Sequence, residues 1–144
     1  VATIGDSEPG VQPLMTTEPV ADWAAARSDK WRRHLVGLEA MLKPIDAPLV
    51  AALDLGGPCR IADVGCGGGA TALEVGRVAP AGSVVHGFDV SPALIEVARG
   101  RAAGSAAAVR FDVADMAVAT PPGSSYDRLM SRLGVMFFKD AAPA

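Results

Sequence analysis

The spacing of hydrophobic residues changes part-way along the chain, from a helical period to short strand-like runs. Large apolar residues recur every three or four positions between Trp31 and Leu42, which predicts an amphipathic helix. We expect this helix to end at Lys43-Pro44, because proline interrupts the helical hydrogen-bond pattern. Asp46 is a candidate cap for a second, shorter helix, which Gly56-Gly57 would end.

The chain then alternates short apolar runs with helical segments. Strands are predicted over residues 60–64, 84–88, 109–113 and 126–131, and helices over residues 70–79 and 91–104. This alternation is typical of an α/β fold in which helical crossovers join the strands of a parallel sheet. Because such crossovers are right-handed, we expect the strand order 3-2-1-4, the first half of a Rossmann-like doubly wound sheet.

The pattern divides the 144 residues into three segments. Residues 1–20 contain several prolines and are expected to be flexible, residues 21–57 hold the N-terminal helices, and residues 58–144 hold the sheet. The sequence stops soon after the fourth predicted strand, so we expect the sheet to be truncated there. Such a strand would be an exposed edge, and self-association through that edge is a further prediction.

Composition and charge narrow the function classes. Half of the residues are hydrophobic and 20% are charged, which is typical of a globular domain. The net charge of -3 and the small basic cluster at residues 30–33 argue against nucleic-acid binding. The sequence contains neither an apolar stretch that could span a membrane nor a secretory signal, which predicts a cytoplasmic protein without a membrane partner. Cys59 and Cys66 lack partners at metal-binding spacing and are predicted to be reduced thiols, with no metal site.

Glycine and polar residues collect where the predicted strands end. In doubly wound sheets, ligands bind outside the carboxyl ends of the strands, at the point where the strand order reverses. Four stretches that are distant in sequence should therefore meet in one cleft. The candidate residues at these ends are Asp63, Gly65, Cys66, Gly67, Asp89, Asp115 and Ser131.

Each of these residue types suits a particular ligand group. Glycines between Asp63 and Gly69 let the backbone approach a ligand, and the helix that follows favours a carboxylate or phosphate at its N-terminus. Asp89 is placed to accept hydrogen bonds from two ribose hydroxyls, and Asp63 suits an ammonium group. A local turn bond for Asp63, and a turn or helix cap for Asp89, are the open alternatives. The spacing Gly65-x-Gly67-x-x-Ala70 also fits a loose dinucleotide-binding fingerprint.

Three segments at these strand ends resemble the motifs of class I S-adenosylmethionine-dependent methyltransferases. The segments are Asp63-Val64-Gly65-Cys66-Gly67-Gly68-Gly69, Gly87-Phe88-Asp89-Val90-Ser91-Pro92-Ala93-Leu94 and Val113-Ala114-Asp115-Met116. Residues 126–138 are similar to a fourth-strand signature of a bacterial small-molecule group in that family. The resemblance extends from about Trp23 to Asp140, and family members continue through further strands, so the chain is expected to be C-terminally incomplete.

The resemblance implies S-adenosylmethionine as cofactor and a role for each matching residue. Asp63 and the glycine turn would hold the methionine part of the cofactor. Asp89 would bind the ribose hydroxyls, and Val90 would pack on the adenine. Asp115 would accept a hydrogen bond from the adenine amino group, with Met116 on the face of the ring.

Fewer roles follow for the residues around the acceptor. Ser131 would lie near the methionine end, at the entrance to the acceptor site, and Trp23 or Trp31 would close over the pocket or belong to the core. His86 lies inside a predicted strand and is expected to be structural, whereas His34 is a weaker candidate for facing the acceptor. The sequence therefore predicts no particular catalytic residue.

The resemblance implies direct methyl transfer to a small-molecule acceptor that the sequence does not identify, with the activity of a truncated chain left open. Two alternatives remain at this stage. One is a non-catalytic module that binds the cofactor or associates with a partner. The other is a nicotinamide-dependent oxidoreductase, against which Asp63 and Asp115 argue.

Overall fold

The computed structural model describes residues 20–105, 108–119 and 126–138, with the backbone alone for residues 20–27. The segment predicted to be flexible thus lies outside the described residues, except for its last residue. The helices are α1 (Val20–Ala52), α2 (Ala70–Val78) and α3 (Pro92–Ala102), the strands are β1 (Arg60–Val64), β2 (Val84–Asp89), β3 (Val109–Val113) and β4 (Arg128–Met130), and a 3-10 helix follows at Gly134–Phe137.

The four strands form one parallel sheet in the order β3-β2-β1-β4, which confirms the predicted α/β topology. The order reverses between β1 and β4, because the chain moves outward in one direction through β2 and β3 and then returns to the other side of β1. Asp63 pairs in register with Gly87 on β2 and Met130 on β4, so the carboxyl ends of the three strands lie side by side.

The N-terminal helices predicted over residues 21–57 are one continuous helix, α1, and the predicted break at Pro44 is wrong. The helix passes through both Pro44 and Pro48, although each proline removes a backbone donor. Asp46, between them, is buried, accepts a hydrogen bond from Thr71 and forms an ion pair with Arg132. These tertiary contacts hold this part of α1 against α2 and the segment after β4, which propensity alone does not predict.

One face of the sheet carries the core. Ile61, Val75, Val85 and Ile95 are fully or almost fully buried between the sheet and the helices, and α1 packs against α2 and α3. Ser91 caps α3 as predicted, since its hydroxyl accepts a hydrogen bond from the N–H of Leu94 at 3.3 Å. The cap and the proline that follows it fix where α3 starts, and therefore the length of the connection between β2 and α3.

His86 lies on the other face of β2, and its surroundings bear out the predicted structural role. Its ring is 2% exposed, with Nδ1 2.7 Å from the hydroxyl of Tyr126 and Nε2 2.7 Å from Oδ2 of Asp112. Burial lowers the pKa of His86, although the Asp112 carboxylate opposes this effect. The network ties β2 to β3 and to the segment before β4.

Within the described residues, β4 pairs only with β1, and Leu129 on β4 is 65% exposed. Self-association through this edge stays a prediction. Among the helices that the structure describes, none combines the length and the apolar character needed to span a membrane.

Candidate functional site

A cavity of about 420 Å³ opens at the carboxyl ends of the strands. Its floor is formed by the glycine turn after β1, the end of β2 and the loop after β3, while α1 and the 3-10 helix form its walls. The structure brings most of the predicted site residues together around this cavity. Those that line it are Gly65, Gly67, Asp89, Val90, Asp115 and Met116.

A smaller cavity of about 80 Å³ adjoins the first, beneath α1. Asp63 and Cys66 line it, together with Thr71 at the start of α2. The two cavities share part of their lining, including the glycine turn and Arg132. The predicted Asp63 and Cys66 therefore lie at the inner end of the same site.

The glycine turn is held by β2 and by the segment after β4. The N–H groups of Gly65 and Cys66 both donate to the carbonyl of Phe88, at 2.8 and 3.0 Å. Gly65 has φ +72°, and a Cβ added there would lie 2.6 Å from the Cα of Gly134. Gly67 has φ +54°, but a Cβ there would meet no atom within 4 Å, because Gly67 borders open cavity. The backbone of Gly67 is thus open to a ligand.

Asp89 spans from the end of β2 to the glycine turn. Its Oδ2 accepts a hydrogen bond from the N–H of Gly67 at 2.8 Å, and its Oδ1 accepts one from the N–H of Ser91 at 2.9 Å. Burial raises the pKa of Asp89, and these two N–H groups oppose that effect. Because each carboxylate oxygen has a second acceptor site, the fixed group can still accept two hydrogen bonds from a ligand.

Asp63 is the buried charge of the inner cavity. It is 1% exposed, and its Oδ2 has no hydrogen-bond partner among the described residues. Burial raises its pKa to about 7; the carboxylates of Asp89 and Asp46 add to the effect, and the guanidinium of Arg132 opposes it. An unpartnered buried carboxylate is costly, which indicates that a cationic or donor group of a ligand belongs beside it.

Asp115 and Ser131 are both engaged by the backbone, with different consequences. Asp115 accepts a hydrogen bond from the N–H of Ala117 at 3.0 Å and still borders the larger cavity. The hydroxyl of Ser131 donates to the carbonyl of Val64 at 2.7 Å and accepts from the N–H of Val135 at 3.1 Å. Ser131 therefore fastens the start of the 3-10 helix to β1, but it lines neither cavity, and its role near the methionine end of the cofactor stays a prediction.

Arg132 is a site residue that sequence reasoning missed. Its side chain is 12% exposed, borders both cavities and donates from one terminal nitrogen to Oδ1 of Asp46 at 2.8 Å. The available signal was its position directly after Ser131, at the end of a strand. Its partner gave no signal, because Asp46 was read as a helix cap.

Trp31 supplies the wall on the α1 side. It borders both cavities and packs edge-to-face on Phe137 of the 3-10 helix, with ring centroids 6.2 Å apart. Of the two tryptophans considered, Trp31 is the one that the structure places at the pocket, and the side chain of Trp23 lies outside the described residues. His34 is exposed on α1.

Residues 61–144 match the sequence profile of the family described as methyltransferase domain. The chain belongs to this family. The fold and the strand-end motifs place it among the class I, S-adenosylmethionine-dependent methyltransferases, whose cofactor is S-adenosylmethionine. This assignment favours the methyltransferase interpretation over that of a nicotinamide-dependent oxidoreductase.

Three relatives illustrate the similarity. A trans-aconitate 2-methyltransferase from Methylobacterium nodulans is 36% identical over 103 residues, which cover 71% of this chain and 35% of that protein. A methyltransferase structure from Mesorhizobium loti is 31% identical and has a TM-score of 0.55, covering 65% of this chain and 41% of the other. A structure from Thiobacillus denitrificans, in complex with S-adenosylhomocysteine, is 32% identical with a TM-score of 0.51, covering 60% and 34%. The chain spans between a third and two fifths of the length of the curated relatives it matches.

Proposed function

We propose that the two adjoining cavities bind S-adenosylmethionine and that the domain takes part in methyl transfer to a small-molecule acceptor. The observation that carries the proposal is the convergence of three acidic residues and an open glycine backbone around one pocket. Asp63 is the penultimate residue of β1, Asp89 is the last residue of β2 and Asp115 follows β3, so they are ordered across the sheet. That order suits an elongated ligand with adenine, ribose and amino-acid parts.

The geometry supports a role for each side chain. Asp115 would accept a hydrogen bond from the adenine amino group, with Met116 and Val90 against the ring. Asp89 would accept hydrogen bonds from the two ribose hydroxyls, because the backbone already holds its carboxylate in one orientation. Asp63 and the glycine turn would hold the methionine part, with the ammonium beside the unpartnered Oδ2.

When bound, S-adenosylmethionine would supply a methyl group on a cationic sulfur that an acceptor atom can displace. The chain's own contribution is to align and desolvate that group. Aromatic faces favour a nearby cation, and Trp31 and Phe137 stand at the wall where the methionine and ribose parts would meet. No side chain is proposed as a general base.

The proposal includes the type of methyl acceptor and the cellular location. A small-molecule acceptor is supported by the relative that acts on trans-aconitate. A cytoplasmic location is supported by Cys59 and Cys66, which are both free thiols, as is usual in a reducing compartment. A role in association is the second candidate, favoured by the exposed side chain of Leu129 on β4.

Calorimetric titration with S-adenosylhomocysteine tests the cofactor site. We expect saturable binding by the unaltered protein, no binding of NAD, and a loss of about 100-fold in Asp89→Ala, because two ligand hydrogen bonds to a charged group disappear. Glu96→Gln removes the same negative charge at an exposed position on α3 and should bind normally. Melting curves will show whether Asp89→Ala is folded. A folded, unaltered protein without affinity for S-adenosylhomocysteine would overturn the proposal.

Affinity for S-adenosylhomocysteine should also depend on pH. Asp63 has a pKa of about 7 in the free protein and must be ionised to pair with an ammonium, so binding releases a proton below pH 7. Between pH 8 and pH 6 we expect affinity to fall about tenfold, since each pH unit below the pKa costs up to tenfold. Asp63→Asn should bind weakly and with a much flatter pH profile. A flat profile in the unaltered protein would contradict this role for Asp63.

A further inference from the structure

Asp63 and Arg132 both line the inner cavity and carry opposite charges. The guanidinium is close enough to lower the pKa of Asp63, yet the two side chains make no ion pair among those found in the described residues. The cavity that both residues line measures about 80 Å³, several times the volume of roughly 15 Å³ that one water molecule needs. The space suits a small ligand group that carries both charges.

Arg132 retains donors for such a group. A guanidinium has five N–H donors, and among the described residues its hydrogen-bond partner is Asp46, reached through one terminal nitrogen. The planar fork of the remaining donors matches a carboxylate in a bidentate arrangement. Arg132 borders both cavities, so its side chain lies where the inner cavity meets the larger one.

Asp46 holds the guanidinium in this place. The Asp46 carboxylate lies 2.8 Å from Arg132, accepts a hydrogen bond from Thr71 at 3.3 Å and lies 3.4 Å from the ammonium of Lys43. Asp46 is 4% exposed, so its side chain has little room to move towards other partners. The ion pair links α1 to the segment after β4 and limits the movement of Arg132.

We infer that Arg132 binds the carboxylate of the cofactor's amino-acid part, while Asp63 binds its ammonium. The pair thereby selects an adenosyl ligand that carries an intact zwitterionic amino acid. Arg132 is a ligand-binding residue in this inference, and Asp46 is its positioning residue. The inference rests on the proposed function, since it presupposes that the methionine part lies in the inner cavity.

Two other roles for Arg132 make different predictions. If Arg132 only fastens α1 to the sheet through Asp46, its loss would weaken the binding of every adenosyl ligand equally. If it receives a carboxylate of the methyl acceptor instead, its loss would leave the affinity for S-adenosylhomocysteine unchanged. The three roles can be distinguished with a ligand that lacks only the amino-acid carboxylate, because only the inferred role makes the loss of affinity in an Arg132 variant depend on that carboxylate.

The experiment compares S-adenosylhomocysteine with its decarboxylated analogue, S-adenosyl-3-thiopropylamine, by calorimetry. The unaltered protein should prefer S-adenosylhomocysteine by about 10- to 100-fold, the value of charge-assisted hydrogen bonds to one carboxylate. Arg132→Met should abolish that preference by weakening S-adenosylhomocysteine alone. Arg132→Lys should restore part of it, because a lysine keeps the charge but not the fork. Arg110→Met, an exposed change on β3, is the matched control and should keep the full preference.

Asp46→Asn keeps the guanidinium but removes the charge that positions it, so it should reduce the preference by less than Arg132→Met does. Equal losses for both ligands in Arg132→Met, or no loss for either, would overturn the inference while leaving the cofactor site intact. So would a preference lost equally in Asp46→Asn and Arg132→Met. If the folded, unaltered protein binds neither ligand, the proposed function itself fails, and the inference fails with it.

Discussion

Asp63→Asn is expected to make the free protein more stable at pH 8. The carboxylate of Asp63 is 1% exposed, and its Oδ2 has no hydrogen-bond partner among the described residues. The ionised form of this buried carboxylate is therefore poorly solvated, which destabilises the folded protein. Asparagine has nearly the same shape and no charge, so the substitution removes this cost without opening a cavity.

The size of the effect follows from the pKa. Folding raises the pKa of Asp63 from 3.8 to about 7, so stability from this group is fully present below pH 3.8 and is lost as the pH rises to about 7. At about 1.4 kcal/mol for each pH unit, the ionised carboxylate costs about 4 kcal/mol at pH 8. The amide must also be desolvated, and Arg132 loses a nearby opposite charge, so we expect a net gain of about 2 kcal/mol.

Urea unfolding at a series of pH values measures this effect. The advantage of Asp63→Asn should shrink by about 1.4 kcal/mol for each pH unit below 7. Asp54→Asn is a suitable control, because Asp54 is exposed and its positive φ is tolerated by asparagine. A destabilised variant at every pH would mean that the carboxylate gains more from Arg132 than burial costs it. A gain in stability combined with lost affinity would mark Asp63 as a residue kept for binding.

The course of the sheet could be predicted from the sequence because its strands are short, apolar and separated by glycine, proline and capping residues. The ends of β1 and β3 lie where the pattern placed them, and Ser91 starts α3 as a cap. β4 is shorter than predicted, Arg128–Met130 against residues 126–131. Asp127 accounts for the later start of the strand, because its carboxylate accepts a hydrogen bond from the N–H of Arg60 at 2.7 Å, in place of a backbone carbonyl.

The site could be predicted in part for a related reason. In a parallel sheet the topology alone brings strand ends together, so Asp63, Asp89 and Asp115 could be grouped from their sequence positions. Arg132 and Asp46 could not, because their pairing depends on how a distant helix crosses the sheet. No local pattern records that α1 continues through two prolines to bring Asp46 against Thr71 and Arg132.

Gly65→Ala is expected to destabilise the protein by about 3–5 kcal/mol, through the left-handed backbone at this position and a collision that cannot relax. Its φ is +72°, and the new Cβ would lie 2.6 Å from the Cα of Gly134. Gly134 cannot yield easily, since a Cβ on Gly134 would itself lie 2.5 Å from the carbonyl oxygen of Val64. The end of β1 and the start of the 3-10 helix thus meet backbone to backbone, and this approach sets the position of Arg132 as well.

Gly67→Ala is the matched test, because it changes the backbone in the same way without a collision. With φ +54° and no atom within 4 Å of the added Cβ, it should cost only about 1–2 kcal/mol of stability. Gly67 borders both cavities and no atom fills the space around the added methyl group, so the free energy of S-adenosylhomocysteine binding should weaken by more than the free energy of unfolding. Gly100→Ala, exposed on α3, should be slightly stabilising and bind normally. Thermal melts and titrations measure the two losses. If Gly65→Ala and Gly67→Ala lose the same stability and the same affinity, the division into a structural glycine and a ligand-facing glycine is wrong.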